Sequence, residues 1–249
     1  MCGRFAVTTD PALLAQKIQA IDEATAAQQN AGPNYNVAPT ATIATVVSRH
    51  SDPDDEPTRR LRLMRWGLVP PWAKAAPDGA PQGGGPLLIN ARADKVSTSP
   101  AFRSSAKTKR CLVPMTGWYE WRPNADNKAR KTPFFMTPGD DELICMAGLW
   151  SVWRPDRDAP PLLSCTVITT DAVGPLAEIH DRMPLMVDER DWDRWLDPDR
   201  PLDPGLLTVR ADLSQLQIRE VSTLVNNVRN NGPELIEPAE PQGTQPTLL

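Results

Sequence analysis

The chain has 249 residues, enough for one sizeable core, and 40% hydrophobic with 23% charged residues is a composition typical of a soluble globular protein. The formal net charge of −4 argues mildly against a nucleic-acid-binding protein but leaves room for a local basic groove. No apolar run is long enough to span a membrane, and the N-terminus lacks the pattern of a signal peptide. We therefore expect a cytoplasmic protein, with no membrane partner, that is a monomer.

The elements predicted in chain order are short, as expected from 27 prolines. A helix begins at Thr9-Asp10-Pro11 and runs to about residue 24. Short helices are predicted at 100–108, 172–179 and 189–196, and surface loops at 50–57 and 73–86. Strands, which dominate the middle of the chain, are predicted at 42–48, 61–66, 111–115, 118–122, 133–136, 143–150 and 162–169.

Cys2 would become the N-terminal residue if Met1 were removed, and it would then carry an α-amine and a thiol on adjacent carbons. Such an aminothiol captures aldehydes, because the amine forms an imine and the thiol adds to it, closing a thiazolidine ring. An α-amine titrates at about 7.7–8.0, against about 10.4 for lysine, so it is nucleophilic far more often at neutral pH. The alternative is that Cys2 is only a small buried residue.

The other cysteines, Cys111, Cys145 and Cys165, lie in apolar strand-like runs and are predicted to be packing residues. The wide spacing of the cysteines, in a chain with only two histidines, indicates neither zinc nor a disulfide framework. We predict no metal and no cofactor.

Two polar motifs lie in rigid or apolar surroundings. Asn36 stands in the segment Asn34 to Pro39, where it is a candidate binding residue or, alternatively, part of an Asx turn. The apolar run at 87–89 leads to Asn90, which could position a substrate oxygen, and Arg92, which could bind phosphate. The alternative is a polar strand end with Arg92 in a surface ion pair.

Glu120 is a candidate acid–base group. It lies between aromatic residues on a predicted strand, and those neighbours should raise its pKa by desolvation, which suits proton transfer near neutral pH. The alternative is a solvent-facing glutamate on an edge strand.

His180 adjoins an acid and a base, Asp181 and Arg182. It could protonate a leaving oxygen, with Arg182 available for a phosphate, whereas His50 lies in an acidic loop and is expected to be inert. Cysteine, histidine and acid together also suggest a Cys–His hydrolase, but a nucleophile at the chain end suits amine chemistry better.

Seven motifs in order resemble those of the SOS-response-associated peptidase (SRAP) family of abasic-site-processing proteins. They are MCGRF, YNVAP, WGLVP, INAR, GWYEW, IHDRMP and the late segment Val225-Asn226-Asn227-Val228. The resemblance covers nearly the whole chain, and seven ordered motifs are highly specific. We accordingly predict an α+β protein with a single SRAP-like domain at 1–237, in which flanking short helices surround a mostly antiparallel, barrel-like β core, and a disordered tail at 238–249.

The resemblance implies that Met1 is removed, by the protein itself or otherwise, and that Cys2 crosslinks to the ring-opened aldehyde of an abasic deoxyribose in single-stranded DNA. The thiazolidine product would protect the lesion. Asn90 would orient the amine and the sugar, Glu120 would move protons, and His180 would help to open the sugar ring and assist reversal. Weak abasic-lyase activity could accompany capture, because an imine at C1′ permits β-elimination.

The resemblance also implies a DNA interface without base readout, in which side chains bind phosphates and a wedge enters between bases. The residues so implied are Arg4, Asn36, Arg92 and Arg182 for binding and Pro39 and Trp72 for the wedge. The partner would be single-stranded DNA containing abasic sites, with replication-fork proteins as further candidates. Two alternatives stay open: a cysteine peptidase acting on its own Met1 or on other peptides, and a non-covalent single-stranded-DNA-binding module.

Overall fold

The computed structural model describes residues 2–24, 32–82, 85–139, 142–208 and 212–239. Within them lie three short α-helices, α1 (Pro11–Lys17), α2 (Arg103–Thr108) and α3 (Trp192–Leu196). The strands are β1 (Arg4–Val7), β2 (Ile21–Asp22), β3 (Asn34–Val37), β4 (Thr42–Arg49), β5 (Thr58–Trp66), β6 (Asn90–Arg92), β7 (Arg110–Met115), β8 (Gly117–Pro123), β9 (Lys131–Thr137), β10 (Ile144–Trp153), β11 (Leu162–Asp171), β12 (Arg182–Pro184) and β13 (Gln217–Glu220).

The first helix is shorter than predicted. It begins as expected, with the Asp10 side chain accepting hydrogen bonds from the amides of the first turn and Pro11 at the first helical position. It ends at Lys17, because Gln19 takes a positive φ of 54° and the chain then turns away. Ile21–Asp22 instead pairs in parallel with β5, so the predicted helical run to residue 24 is wrong in its second half.

The seven predicted strands are all confirmed, with ends within three residues of those expected. The predicted short helices appear as α2, as a 3-10 helix at Gly174–Glu178 and as a 3-10 turn leading into α3. The apolar run at 87–89 is not itself a strand; the strand begins at Asn90. In the predicted loops, residues 50–57 and the described part of 73–86 are mostly exposed.

Two sheets form the body of the molecule. The smaller has five strands in the order β13-β9-β8-β1-β3, and every neighbouring pair in it is antiparallel. The larger runs β12-β11-β10-β7-β4-β5-β2, and β11 pairs in addition with β5 and β6 in parallel. These extra pairings curl the larger sheet into a barrel-like form. The fold is therefore the mostly antiparallel α+β architecture that we predicted.

One large apolar cluster packs the short helices against the larger sheet, and a second lies between the two sheets and includes residues near the start of the chain. Cys2 and Phe5 are fully buried in one apolar cluster with Trp66 and Trp118, and the Phe5 and Trp66 rings meet edge to face with their centroids 4.9 Å apart. Cys111, Cys145 and Cys165 are buried free thiols within the apolar clusters, which confirms their predicted packing role. The N-terminal segment is thus part of the core.

The C-terminal boundary lies slightly beyond the one predicted. Val221 forms a β-bridge with Pro238, and the Ala239 amide donates to the Glu220 carbonyl over 2.8 Å. Residues 238 and 239 therefore belong to the fold. The rest of the predicted disordered tail lies outside the described residues. No helix among the described residues is long and apolar enough to cross a membrane.

Candidate functional site

Cys2 is held at the junction of the two sheets. It lies two residues before β1, and Arg4 and Phe5 of that strand pair with Tyr119 and Trp118 of β8. Its carbonyl accepts a hydrogen bond of 2.8 Å from the Nδ2 of Asn90, the first residue of β6 in the other sheet. The structure thus brings Cys2 and Asn90 together.

The Asn90 side chain also has a hydrogen-bond acceptor, Oδ1, that takes no part in its bond to Cys2. Its Oδ1 is buried and accepts no hydrogen bond from any of the described residues. A buried acceptor without a donor costs about 1–3 kcal/mol. This oxygen belongs to the same amide group that binds Cys2, so a new donor arising at Cys2 would be close to it.

Glu120 is buried, with 3% of its surface exposed, in the middle of β8. Burial raises the pKa of its carboxyl from 4.5 to about 7. This confirms the predicted desolvation and excludes the solvent-facing alternative. Glu120 also acts on Cys2. Burial is the main cause that raises the pKa of the Cys2 thiol, and the negative charge of Glu120 raises it further. The thiol is therefore protonated at neutral pH.

His180 lies between the 3-10 helix at Gly174–Glu178 and β12, and its side chain is about 29% exposed. The backbone amide of Arg182 donates to its Nδ1 over 3.0 Å, which favours the neutral ring with the proton on Nε2. The Asp181 carboxylate lies 2.7 Å from the same nitrogen and favours the opposite arrangement. Burial outweighs this carboxylate and lowers the pKa of His180, so we assign the neutral form.

Glu120 and His180 face one cavity of about 390 Å³, which we call the His180 cavity. Its other lining residues are Arg4, Trp121, Lys131 and Asn226. Three of them, Trp121, Lys131 and Asn226, were not singled out from the sequence. Asn226 lies in the late motif at 225–228, to which the sequence alone assigned no role. The Trp121 Nε1 donates a hydrogen bond of 2.7 Å to the Asn226 Oδ1.

Arg4 and Asn36 hold that late motif against the cavity. The Arg4 guanidinium donates to the Asn36 Oδ1 over 2.6 Å and to the Val225 carbonyl over 2.9 Å. The Asn36 amide donates to the carbonyls of Val225, Asn227 and Asn230 over 3.0–3.3 Å. Because Asn36 is 4% exposed and its side chain is bonded within the protein, its predicted contact with DNA is corrected to a structural role.

Arg92 and Arg182 lie together on a second cavity of about 310 Å³, the Arg182 cavity. Arg92 is exposed, and among the described residues its side chain pairs with Asp94 alone, at 2.9 and 3.1 Å. Arg182 is buried, and it binds the Thr169 carbonyl over 2.6 Å and the Asp171 carboxylate. The strand that carries Arg182 begins two residues after His180, so one short segment contributes a lining residue to each cavity.

The two predicted wedge residues line neither cavity. Pro39 is half-buried and precedes Thr40, which has a φ of 75°. Trp72 is 68% exposed, the most exposed of the large apolar side chains among the described residues. The turn that follows it is closed by a bridge between Ala75 and Pro81 and is fixed to the body by the Trp153 Nε1, which donates to the Ala73 carbonyl over 2.7 Å.

The comparisons with known proteins agree with this architecture and place the chain in a family. A family model described as SOS response associated peptidase (SRAP) matches residues 1–228, and the chain belongs to that family. The chain is 35% identical over 240 residues to the abasic site processing protein YoqW of Bacillus subtilis (strain 168), covering 95% of this chain and 99% of that protein. It is 30% identical over 270 residues to the abasic site processing protein HMCES of Gallus gallus, covering 96% and 78%.

Solved structures confirm the fold. A crystal structure of a protein from Bacteroides thetaiotaomicron superposes with a TM-score of 0.77 at 22% identity, covering 96% of this chain and all of that one. A protein from Bordetella bronchiseptica gives a TM-score of 0.69 at 21% identity, covering 89% of this chain and all of that one.

Proposed function

We propose that this chain captures abasic sites in single-stranded DNA through Cys2, after Met1 has been removed. The observation that carries the proposal is the grouping of Cys2, held through its carbonyl by Asn90, with a buried carboxyl that titrates near neutral pH. The names of the relatives, abasic site processing proteins, support the same lesion as the substrate.

The reaction would proceed in two bond-forming steps. The Cys2 amine adds to the C1′ aldehyde of the ring-opened sugar, and loss of water gives an imine. The Cys2 sulfur then adds to the imine carbon while the thiol proton passes to nitrogen, which closes the thiazolidine with a net loss of one water. If the thiol does not trap the imine, β-elimination breaks the strand, which is the weak lyase activity that we expect.

The surrounding groups suit these steps. Glu120 holds a proton for part of the time at neutral pH, so it can protonate the departing hydroxyl and accept the thiol proton. Neutral His180 would move a proton during opening of the sugar ring and during reversal. The unpaired Oδ1 of Asn90 would accept a hydrogen bond from the free Cys2 amine.

The cysteine-peptidase alternative fits the site less well. A peptidase cysteine acts as a thiolate with a lowered pKa, whereas burial raises the pKa of Cys2. Addition of a neutral thiol to an imine does not need a preformed thiolate if a base such as Glu120 accepts the proton. We therefore restrict any peptidase activity in this proposal to removal of Met1.

We expect the DNA strand to lie along the two cavities. Arg92 is exposed at the Arg182 cavity and Arg4 lines the His180 cavity, so both would contact phosphates, and buried Arg182 would line the cavity beside Arg92. Exposed Trp72 and half-buried Pro39 would stack on or part the bases. Such contacts bind single strands without reading sequence.

The test is crosslinking to a single-stranded oligonucleotide with one abasic site. We expect a heat-stable adduct with the wild-type protein and with Cys145→Ala, a change at another buried cysteine, and none with Cys2→Ala. The same oligonucleotide after borohydride reduction of its aldehyde should give no adduct. An adduct with Cys2→Ala equal to wild type, or none with wild type and a verified aldehyde, contradicts the proposal.

A further inference from the structure

Lys131 brings a positive charge to the mouth of the His180 cavity. It is the first residue of β9, it is exposed, and it lines the cavity together with Glu120 and His180. In the β8–β9 ladder it pairs with Pro123, three residues beyond Glu120. The long, flexible lysine side chain lines the cavity and can keep its ammonium group in solvent.

The charge of Lys131 acts on both proton-transfer groups. Beyond the dominant effect of burial, it lowers the pKa of Glu120 and the pKa of His180. Among the described residues, the charged or titratable groups that act on Glu120 or line the cavity with it are the Cys2 thiol, the Asp181 carboxylate, the Lys131 ammonium, the His180 ring and the Arg4 guanidinium. Asp181 acts on Glu120 in the opposite sense to Lys131.

The other basic groups at the two cavities already have protein partners. Arg4 binds Asn36 and Val225, Arg92 binds Asp94, and Arg182 binds Asp171 and Thr169. Among the described residues, no carboxylate forms an ion pair with Lys131. Its ammonium can therefore bind an incoming anion without first breaking an ion pair.

We propose that Lys131 binds the phosphate adjacent to the abasic sugar and thereby couples backbone binding to proton transfer at Glu120 and His180. This inference rests on the proposed function for its substrate. A phosphate carries one negative charge and, when paired with Lys131, cancels the field of the ammonium at the cavity. Bound DNA would then raise the pKa of Glu120, so that its carboxyl is more often protonated when the departing hydroxyl needs a proton.

The first experiment measures binding without any covalent step. The probe is a single-stranded oligonucleotide that carries a tetrahydrofuran abasic analogue, which has no aldehyde, and binding is followed by fluorescence anisotropy at several salt concentrations. Lys131→Met should weaken binding about fivefold, as expected for one partly exposed ion pair. It should also reduce the slope of log affinity against log salt by about 0.7, the value for one phosphate contact on a single strand.

The matched control is Lys128→Met, which removes a lysine from the turn of the same hairpin, outside the cavity. It should leave affinity and salt slope unchanged, and Lys131→Arg should retain most of both. A neutral methylphosphonate is then placed on the 5′ or the 3′ side of the analogue. At one of these linkages it should weaken the wild type but not Lys131→Met. Equal losses in both proteins at both linkages overturn the proposal.

The second experiment measures the rate of crosslinking to a true abasic site against pH. At DNA concentrations far below saturation, the rate reports the pKa values of the free protein, in which no phosphate cancels the Lys131 charge. The falling limb should therefore move to higher pH in Lys131→Met and stay in place in Lys128→Met. An unshifted limb contradicts the coupling. Absence of crosslinking in every protein, with the binding differences intact, contradicts the proposed function and leaves the phosphate contact established.

Discussion

Glu120→Gln should make the protein more stable at alkaline pH while it impairs the reaction. Burial raises the pKa of Glu120 from 4.5 to about 7, so the folded protein binds a proton that the unfolded chain has released between these values. The free energy of unfolding of the wild type therefore falls as pH rises through this window. The fall attributable to Glu120 is about 3 kcal/mol when complete.

Glutamine has nearly the same shape and does not titrate, so its variant should not show this fall. The difference in unfolding free energy between Glu120→Gln and wild type should increase in favour of the variant by about 3 kcal/mol from about pH 4.5 to about pH 8. His180, whose pKa is lowered by burial, is present in both proteins, so its contribution largely cancels in the difference. The expected activity change is opposite in sign, a loss of about 100-fold in crosslinking rate.

The assay is urea unfolding of both proteins at several pH values, with Glu178→Gln, an exposed glutamate on the 3-10 helix before His180, as the control. The control should parallel the wild type at every pH. A stability difference between Glu120→Gln and wild type that is the same at about pH 5 and about pH 8 would refute the account of Glu120 as a buried carboxyl.

Four further substitutions test other parts of the structure. Trp72→Ala should change stability by less than about 0.5 kcal/mol, because the side chain is 68% exposed, but weaken single-stranded DNA binding by about 1–3 kcal/mol if a base stacks on it; urea unfolding and anisotropy measure the two effects. Gly117→Ala should destabilise by roughly 1–3 kcal/mol or more in thermal or urea unfolding, because a Cβ there would lie 2.3 Å from the Met136 carbonyl oxygen; wild-type stability would contradict the observed packing. Arg182→Met should destabilise by about 1.5 kcal/mol through the lost hydrogen bonds to the Thr169 carbonyl and the exposed Asp171 carboxylate. Arg92→Met should alter stability little and mainly reduce the salt dependence of DNA binding; equal stability losses would contradict the difference in burial.

The parts of the site that the sequence predicted depend on local causes. The environment of Glu120 follows from the aromatic residues beside it on one strand, and the special position of Cys2 follows from its place at the chain end. The strands in the middle of the chain were predictable for the same reason, since the apolar pattern of each strand is visible within a single segment.

The parts that the sequence did not predict depend on contacts between distant segments. Lys131 and Asn226 reach the His180 cavity because β9 pairs with β8 and because Arg4 and Asn36 bind the late motif. The second half of the first predicted helix becomes a strand because β5 offers it a partner. Neither effect has a signal within its own stretch of sequence, where helical periodicity or a lone lysine is all that can be observed.

The central claim is that the N-terminal aminothiol of Cys2 is the group that joins the DNA. It is tested most directly by tandem mass spectrometry of the protease-digested adduct with an abasic oligonucleotide, after treatment with borohydride, which reduces an imine but not a thiazolidine. The account predicts an adduct on a peptide that begins at Cys2, without Met1, and with no hydrogen added by the reductant. Attachment at a lysine such as Lys131, or an adduct on a peptide that still carries Met1, would contradict it.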